Sequence, residues 1–456
     1  MLAIVVSRAD SASVHIAEHL HEFAAWTECT DSSRPDAEGG GTVHRTEGAE
    51  LRTFDDLHLD LDDAAAAFGT VDEGAEREAD LLAFASRHAG DTGPLLTAHH
   101  TGNFGPAEYG GTDRELAAAA PNATARVLEG LTEHAPDGYE TGLECTHHGP
   151  TDVGCPSLFV EVGSDEPQWD DPSAARAVAR AILDLRGVDP DTERVVAGFG
   201  GGHYVPRYER VVRETDWAVG HVAADWCLED LGDPDASAAR ETVDAAFRES
   251  GATRALVEGD HPALAAVIES LGYRIVGETY LRETTGVPLA TVERAETTLR
   301  RIGEGLRFGD HAPGYKGPLT AVDLPAELVA EAEGIDREHT RGAVDERVVA
   351  LTTTENGTRV GERALVPGGS ERADGIRAEL VGDLVSVLRE RYDDVRVQPD
   401  AVVARRTVFD PEKAQKLGIP EGPAFGRLSA GEPVEVRGRT IEPEAVQSEE
   451  ERRFPR

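Results

Sequence analysis

Residues 95–105, Leu-Leu-Thr-Ala-His-His-Thr-Gly-Asn-Phe-Gly, start as a short apolar run and end in paired histidines and a glycine-containing turn. A buried strand that releases into a loop of reactive side chains is how many α/β proteins place a site. Two later stretches follow the same plan: Glu144-Cys145-Thr146-His147-His148-Gly149-Pro150 and Gly200-Gly201-Gly202-His203-Tyr204. Working outward, short apolar runs predict strands at Leu2–Ser7, Leu81–Ala85, Gly142–Thr146, Leu158–Val162, Arg194–Gly198, Trp217–Ala223, Arg254–Glu258 and Tyr273–Glu278. Apolar residues at helical spacing predict helices at Ser11–Phe23, Glu115–His134, Pro172–Leu185, Ala238–Ser250 and Pro262–Leu271. Strand–helix alternation of this kind predicts an α/β fold, a mixed, mainly parallel sheet flanked by helices. Cys29–Ala49 reads as a loop, Leu51–Leu61 as a strand or hairpin, and Ala75–Asp80 as a charged stretch.

The texture changes after Glu283. Residues 1–283 are read as one domain, 284–318 as a Gly- and Arg-rich linker, and 319–456 as a smaller α+β extension. The extension is expected to carry a helix at Gly375–Tyr392 and a frayed tail at Gln447–Arg456.

The charge balance is extreme: 86 acidic against 45 basic residues, a net −41 over 456 residues. Lysine occurs only at Lys316, Lys413 and Lys416. An acidic, lysine-poor chain with ordinary apolar content stays soluble at molar salt, where charge repulsion is screened. A haloarchaeal cytoplasm is therefore expected, and there net negative charge does not exclude a nucleic-acid partner. The four cysteines, Cys29, Cys145, Cys155 and Cys227, form no CxxC pair, so neither a four-thiolate zinc site nor a disulfide framework is expected. No apolar run is long enough for a membrane-spanning helix, and the first residues lack the features of a signal peptide.

Histidine is the commonest metal ligand and the natural acid or base near neutrality. His88, His99, His100, His147, His148 and His203 all follow predicted strands, with Glu108, Glu144, Glu161 and Glu166 nearby in sequence. Any one such histidine is more often structural; three clusters shift the balance towards a metal or catalytic site. Adjacent histidines on extended chain point to opposite sides, so His99 and His100 are expected to play different roles. The candidate metal ligands are His100, Glu144, His148 and His203, with His99 and His147 as alternates. His99, His147 and Glu161 are the candidate catalytic groups. Gly200, Gly201 and Gly202 are read as a nest of backbone N–H groups for a phosphate or oxyanion. Asn103, Tyr204 and Arg207 complete the candidate substrate contacts. Cys145 is a possible nucleophile or a core residue, and Trp169 a stacking platform or a loop closure. A GxSxG elbow is absent, which argues against an α/β-hydrolase.

The motifs HHTGNFG (99–105), ECTHHGPT (144–151), FVEVGSDEPQW (159–169) and GFGGGHYVPR (198–207), with SRH at 86–88, resemble the archaeal and plant type of D-aminoacyl-tRNA deacylase. The resemblance covers roughly residues 1–283. It implies hydrolysis of the ester between a D-amino acid and the 3′-terminal adenosine of tRNA, a partner tRNA charged with D-amino acids, and zinc, two ions per subunit. It also implies a fold related to peptidyl-tRNA hydrolase and phosphorylase-like proteins. In the extension, Phe409–Lys413, Leu417–Pro423, Phe425–Leu428 and Gly431–Val434 resemble a non-catalytic segment of ribonuclease Z. The HxHxDH metal motif of that enzyme is absent, so nuclease activity is not implied. A monomer is expected. Competing readings are a tRNA- or nucleotide-binding protein without turnover, and a metal-independent hydrolase or phosphorylase on the same scaffold.

Overall fold

Six consecutive buried residues, Leu2–Ser7, form β1 at the centre of an eight-stranded sheet. A computed structural model describes residues 1–70 and 78–456; part of the charged stretch Ala75–Asp80 lies outside them. Two contact units result, Met1–Arg282 and Glu283–Arg456. In the first, α1 (Ser11–Phe23) follows β1 and is capped by Asp10, whose carboxylate accepts from the Ala12 and Ser13 N–H groups. Next come β2 (Thr27–Asp31), β3 (Gly41–Thr46), β4 (Ala49–Phe54), β5 (Leu81–Arg87) and β6 (Leu95–His99). Then follow α2 (Pro121–His134), β7 (Glu140–Leu143), β8 (Ser157–Gly163), the one-turn α3 (Glu166–Trp169) and α4 (Pro172–Leu183).

The sheet order is β2-β3-β4-β1-β5-β8-β6-β7. Strands β4, β1, β5 and β8 run parallel, whereas β6 pairs antiparallel with β8. A second, all-parallel sheet of order β10-β9-β11-β12 contains β9 (Val195–Phe199), β10 (Ala218–Ala223), β11 (Arg254–Val257) and β12 (Arg274–Val276). Its helices are α5 (Pro206–Glu214), α6 (Asp225–Leu231), α7 (Ser237–Arg248) and α8 (Pro262–Ser270). This is the expected α/β class with a mixed, mainly parallel sheet.

Four local expectations change. Cys29–Ala49 is not a loop: β2 and β3 add two antiparallel strands at the sheet edge. Their polar residues surround a buried Arg52, whose guanidinium donates to Glu50 and Asp31, each at 2.6 Å. The helix expected from Glu115 starts at Pro121, because the residue before a proline is pushed out of the helical region. Residues 284–318, expected as a linker, hold a helix (Leu289–Thr298) and a strand (Leu306–Phe308) paired with Ala350–Thr354 in the second unit's sheet. The tail Gln447–Pro455 is a strand, paired along its length with Ala401–Phe409. The long helix of this unit, Ser370–Leu388, packs Ile376, Leu380 and Leu384 into its core.

Candidate active site

The register of β8 builds the floor of the site. Phe159 and Glu161 alternate onto one face of the sheet. Glu161 lies opposite Ser86 on β5 and opposite Thr97 on β6. His99 pairs with Phe159, and its ring stacks on the phenyl at 5.2 Å and 12°. The buried carboxylate of Glu161 sits inside β8, with His99 at the end of β6 and His88 just past the end of β5 beside it.

His147 and His148 come from the turn after β7, with His148 at φ 54°. Their rings lie 4.3 Å and 4.9 Å from that of His99. Nδ1 of His99 lies 3.0 Å from the His100 carbonyl, Nδ1 of His147 2.9 Å from the Cys145 carbonyl, and Nδ1 of His148 2.7 Å from the Gly149 carbonyl. A carbonyl only accepts, so each Nδ1 carries a proton, and the rings of His147 and His148, when neutral, keep a lone pair on Nε2. Burial opposes charge on His99, but the adjacent Glu161 outweighs it and raises its pKa. Backbone carbonyls that fix imidazole tautomers in this way are the usual outer support of a metal site. Burial and the neighbouring His99 and His148 push His147 well below the ordinary histidine range. Burial and His99 take His148 down to about 4. Both rings are therefore neutral, the form that binds a metal.

Beside them lies a carboxylate pair. Glu144 is buried; its Oε2 accepts from His203 Nε2 at 2.8 Å and stands 3.7 Å from His147 Nε2. His88 Nδ1 approaches Glu144 Oε1 at 3.1 Å and Glu161 Oε2 at 3.7 Å, while its Nε2 meets the Tyr204 hydroxyl at 3.1 Å. Burial opposes charge on all three groups, but their mutual attraction outweighs it. Glu144 is held well below the carboxylate range, Glu161 falls to about 2, and His88 rises to about 11.

Four groups among the described residues place their ligand atoms within 4.8 Å of one another. One, Asp336/His339/Glu390, lies in the second unit; the three at this centre are His99/His147/His148, Cys145/His147/His203 and His88/Glu144/Glu161. Two buried atoms that face them, His99 Nε2 and Glu144 Oε1, have no hydrogen-bond partner among the described residues; His88 approaches the latter without hydrogen-bond geometry. Such orphaned atoms fit a bound cation, and neutral imidazoles with carboxylates suit zinc. Cys145 Sγ lies 3.6 Å from His203 Nδ1. The adjacent Cys227 and burial push this thiol up, so it ionises only beside a cation.

Two clefts open onto this centre, of about 220 Å³ and about 450 Å³. His147, His148, His203 and Tyr109 line both.

Several expected site residues are placed elsewhere. His100 points to the opposite side from His99: Nδ1 lies 3.5 Å from the Ser157 carbonyl and Nε2 3.3 Å from the Val219 carbonyl. Burial holds its pKa near 4, and it packs against the buried His221. It is not with the other proposed ligands. The glycine nest is also redirected. The Gly200 N–H donates to the Ala223 carbonyl at 2.7 Å, and the Gly201 N–H to the Asp225 carboxylate at 3.2 Å. Arg207 is held by Glu278 and the Val257 carbonyl. Asn103 donates to the Gly110 and Thr112 carbonyls, shaping the wall of the narrower cleft. Trp169 closes its loop, donating to the His88 carbonyl. By contrast His99, His147, His148, Glu144, Glu161, His203 and Tyr204 do converge.

His88, one of the histidines that follow a strand but given no role by sequence, joins the centre; its place after β5 is the signal for it. His58, which lines the wider cleft and lies 3.4 Å from Ser13 Oγ, carried none. The paired histidines should separate in experiment. His99→Ala should lower activity about a hundredfold, whereas His100→Ala should leave activity nearly unchanged and mainly lower the melting temperature. Equal activity losses would count against this division. Gly200→Ala should destabilise by about 3 kcal/mol, since φ is +91° and its Cβ would meet the Glu258 carbonyl oxygen at 2.0 Å. An unchanged denaturation midpoint would contradict this.

Comparison with known proteins agrees with the geometry. A sequence model of a family described as D-aminoacyl-tRNA deacylase matches residues 75–276. The D-aminoacyl-tRNA deacylase of Natronomonas pharaonis is 55% identical over 454 residues, covering 100% of both chains. That of Halorubrum lacusprofundi is 52% identical over 480 residues, covering 100% of this chain and 97% of its own. A crystallised conserved protein of unknown function, AF0625, aligns with a TM-score of 0.55 at 26% identity, covering 62% of this chain and 98% of its own. Full-length identity above half, on a chain whose buried histidines and carboxylates converge beneath two clefts, shows that it belongs to the D-aminoacyl-tRNA deacylase family.

Proposed function

We propose that this protein hydrolyses the ester bond of D-aminoacyl-tRNA, releasing the D-amino acid and free tRNA, with zinc at the histidine cluster. The observation that carries the metal reading is the triad His99, His147 and His148, whose ligand atoms lie within 4.8 Å of one another, with backbone carbonyls holding each Nδ1 and the buried His99 Nε2 left without a hydrogen-bond partner among the described residues. His88, Glu144 and Glu161 share no residue with that triad, and this supports the two ions that the resemblance implies. A zinc ion in such a site supplies Lewis acidity towards the ester carbonyl and acidifies water.

The protein's own groups do the rest. Hydrolysis adds hydroxide to the acyl carbon and a proton to the departing ribose oxygen. His203 lines both clefts and carries its Nε2 proton against Glu144 Oε2, so this pair is assigned the proton transfer. Glu161 orients His88 and His99. An aminoacyl ester is already activated, so discrimination matters more than acceleration; a pocket that sterically rejects the L arrangement provides it. The site belongs in the cytoplasm, where charged tRNA is used.

The test is release of amino acid from matched D- and L-tyrosyl-tRNA in molar salt, before and after chelation. Release from the D-ester alone, lost on chelation and restored by zinc, is expected. Binding of the D-ester without release would favour a tRNA-binding protein. Undiminished release from metal-free protein would favour metal-independent chemistry.

The second unit, including the segment that resembles ribonuclease Z, is assigned to tRNA contact. Exposed Lys413 and Lys416 lie on its helix Pro411–Lys416, and exposed Arg437 and Arg439 at the hairpin that joins Val434–Val436 to Arg439–Ile441. Replacing all four by glutamine should raise KM for D-aminoacyl-tRNA and flatten its salt dependence, with no change for a D-aminoacyl-adenosine. Equal effects on both substrates would remove the assignment.

A further inference from the structure

The two clefts differ in charge as well as size. The narrower one is walled by Phe104, Pro106, Trp226 and Cys227, and carries the carboxylates of Glu108 and Asp230. Both carboxylates are exposed, and neither has an ion-pair partner among the described residues. Arg114 reaches towards Asp230 but donates to the backbone carbonyls of Asp230 and Leu231. Gly105 lets the cleft wall close on α6: a Cβ there would meet the Asp230 Cβ at 2.5 Å.

The wider cleft holds Arg87, half-buried, with its guanidinium 5.1 Å from the Trp169 ring centre and, among the described residues, no carboxylate in ion-pair range. In a chain with 86 acidic residues, a cleft arginine left unpaired stands out as an anion contact. The other charged groups facing this cleft do not compete for an anion's place. Asp10 is saturated by the N–H groups of Ala12, Ser13 and Arg87 and the hydroxyl of Ser86. Glu161 faces His88 and His99. His58 lines the cleft as a neutral ring.

The substrate has the matching asymmetry. Its amino-acid end carries an ammonium group and its nucleotide end a phosphate, and the ester lies between them. Resting on the deacylase reading above, we infer that the clefts fix the direction in which the substrate lies. The amino acid enters the narrower cleft with its ammonium group against Glu108 and Asp230. The terminal nucleoside occupies the wider cleft with its phosphate on Arg87. The ester then crosses His147, His148 and His203, the histidines common to both clefts. Tyr109, 67% exposed and lining both clefts, stands at their shared lip.

The test uses zinc-loaded full-length protein and four non-hydrolysable amide analogues of 3′-D-tyrosyl-adenosine. They carry or lack a 5′-phosphate, and have a free or N-acetylated amine. Affinities are read by titration calorimetry in molar potassium chloride. The double substitution Glu108→Gln and Asp230→Asn should cut the preference for the free amine over the acetylated one about tenfold. Arg87→Gln should cut the preference for the 5′-phosphate about tenfold, and Arg87→Lys should keep most of it. The crossed result, in which Arg87 governs the amine and the carboxylates the phosphate, overturns the direction. Equal loss on all four analogues in the variants, with a wild type that releases D-tyrosine from tRNA, overturns the two subsites and leaves the deacylase reading intact. A wild type that binds none of the analogues overturns both.

Discussion

His147→Ala is expected to lower kcat/KM for D-tyrosyl-tRNA by about a thousandfold, beyond the 10- to 100-fold typical of residues that only support a metal ligand. Its ring belongs to two of the three candidate metal groups at this centre, and its Nε2 lies 3.7 Å from Glu144. It also lines both clefts, so the loss reaches metal and substrate together. Bound zinc, measured on the purified variant by mass spectrometry, should fall by at least one ion per chain. The fold should persist, because the ring packs against other histidines rather than against the apolar core. A variant that keeps its zinc and most of its activity would remove His147 from the centre.

The second large effect is expected at Glu144. Glu144→Gln leaves the side chain its size but removes a buried charge that faces His88, His147 and His203. Activity should drop about a hundredfold and zinc affinity 10- to 100-fold. A titration against a competing chelator reads the second quantity without reference to turnover. The loss should be greater than for Glu161→Gln, since Glu144 alone receives the His203 proton donor at 2.8 Å. Equal or reversed effects would assign the proton carrier to Glu161 instead.

The sequence reveals the site's loops more readily than its side chains. The short apolar runs, the three histidine-bearing stretches and the alternation of His99 with His100 are all local features. Which of the two histidines turns inward depends on β6 pairing antiparallel with β8, so that His99 falls opposite Phe159. That register is set by a strand more than fifty residues away in the chain. The glycine triplet misleads for a related reason. Its N–H groups look free in sequence, yet Ala223, at the end of β10, and Asp225, at the start of α6, take those of Gly200 and Gly201. Arg207 is withdrawn by Glu278 from the far end of the unit. His88 joins the centre because β5 and β8 are neighbours, which brings it to Glu161. The charged strand Gln447–Pro455 reads as a tail because its stability comes from cross-strand partners: Arg405 with Glu451 and Arg406 with Glu450, each at 2.7 Å.

Anomalous scattering recorded on both sides of the zinc edge, from crystals of active protein never exposed to chelator, bears most directly on the proposed centre. The account predicts a peak within coordination distance of Nε2 of His99, His147 and His148. Active protein with no peak there, or with its only peak beyond these histidines and beyond His88, Glu144 and Glu161, would contradict it.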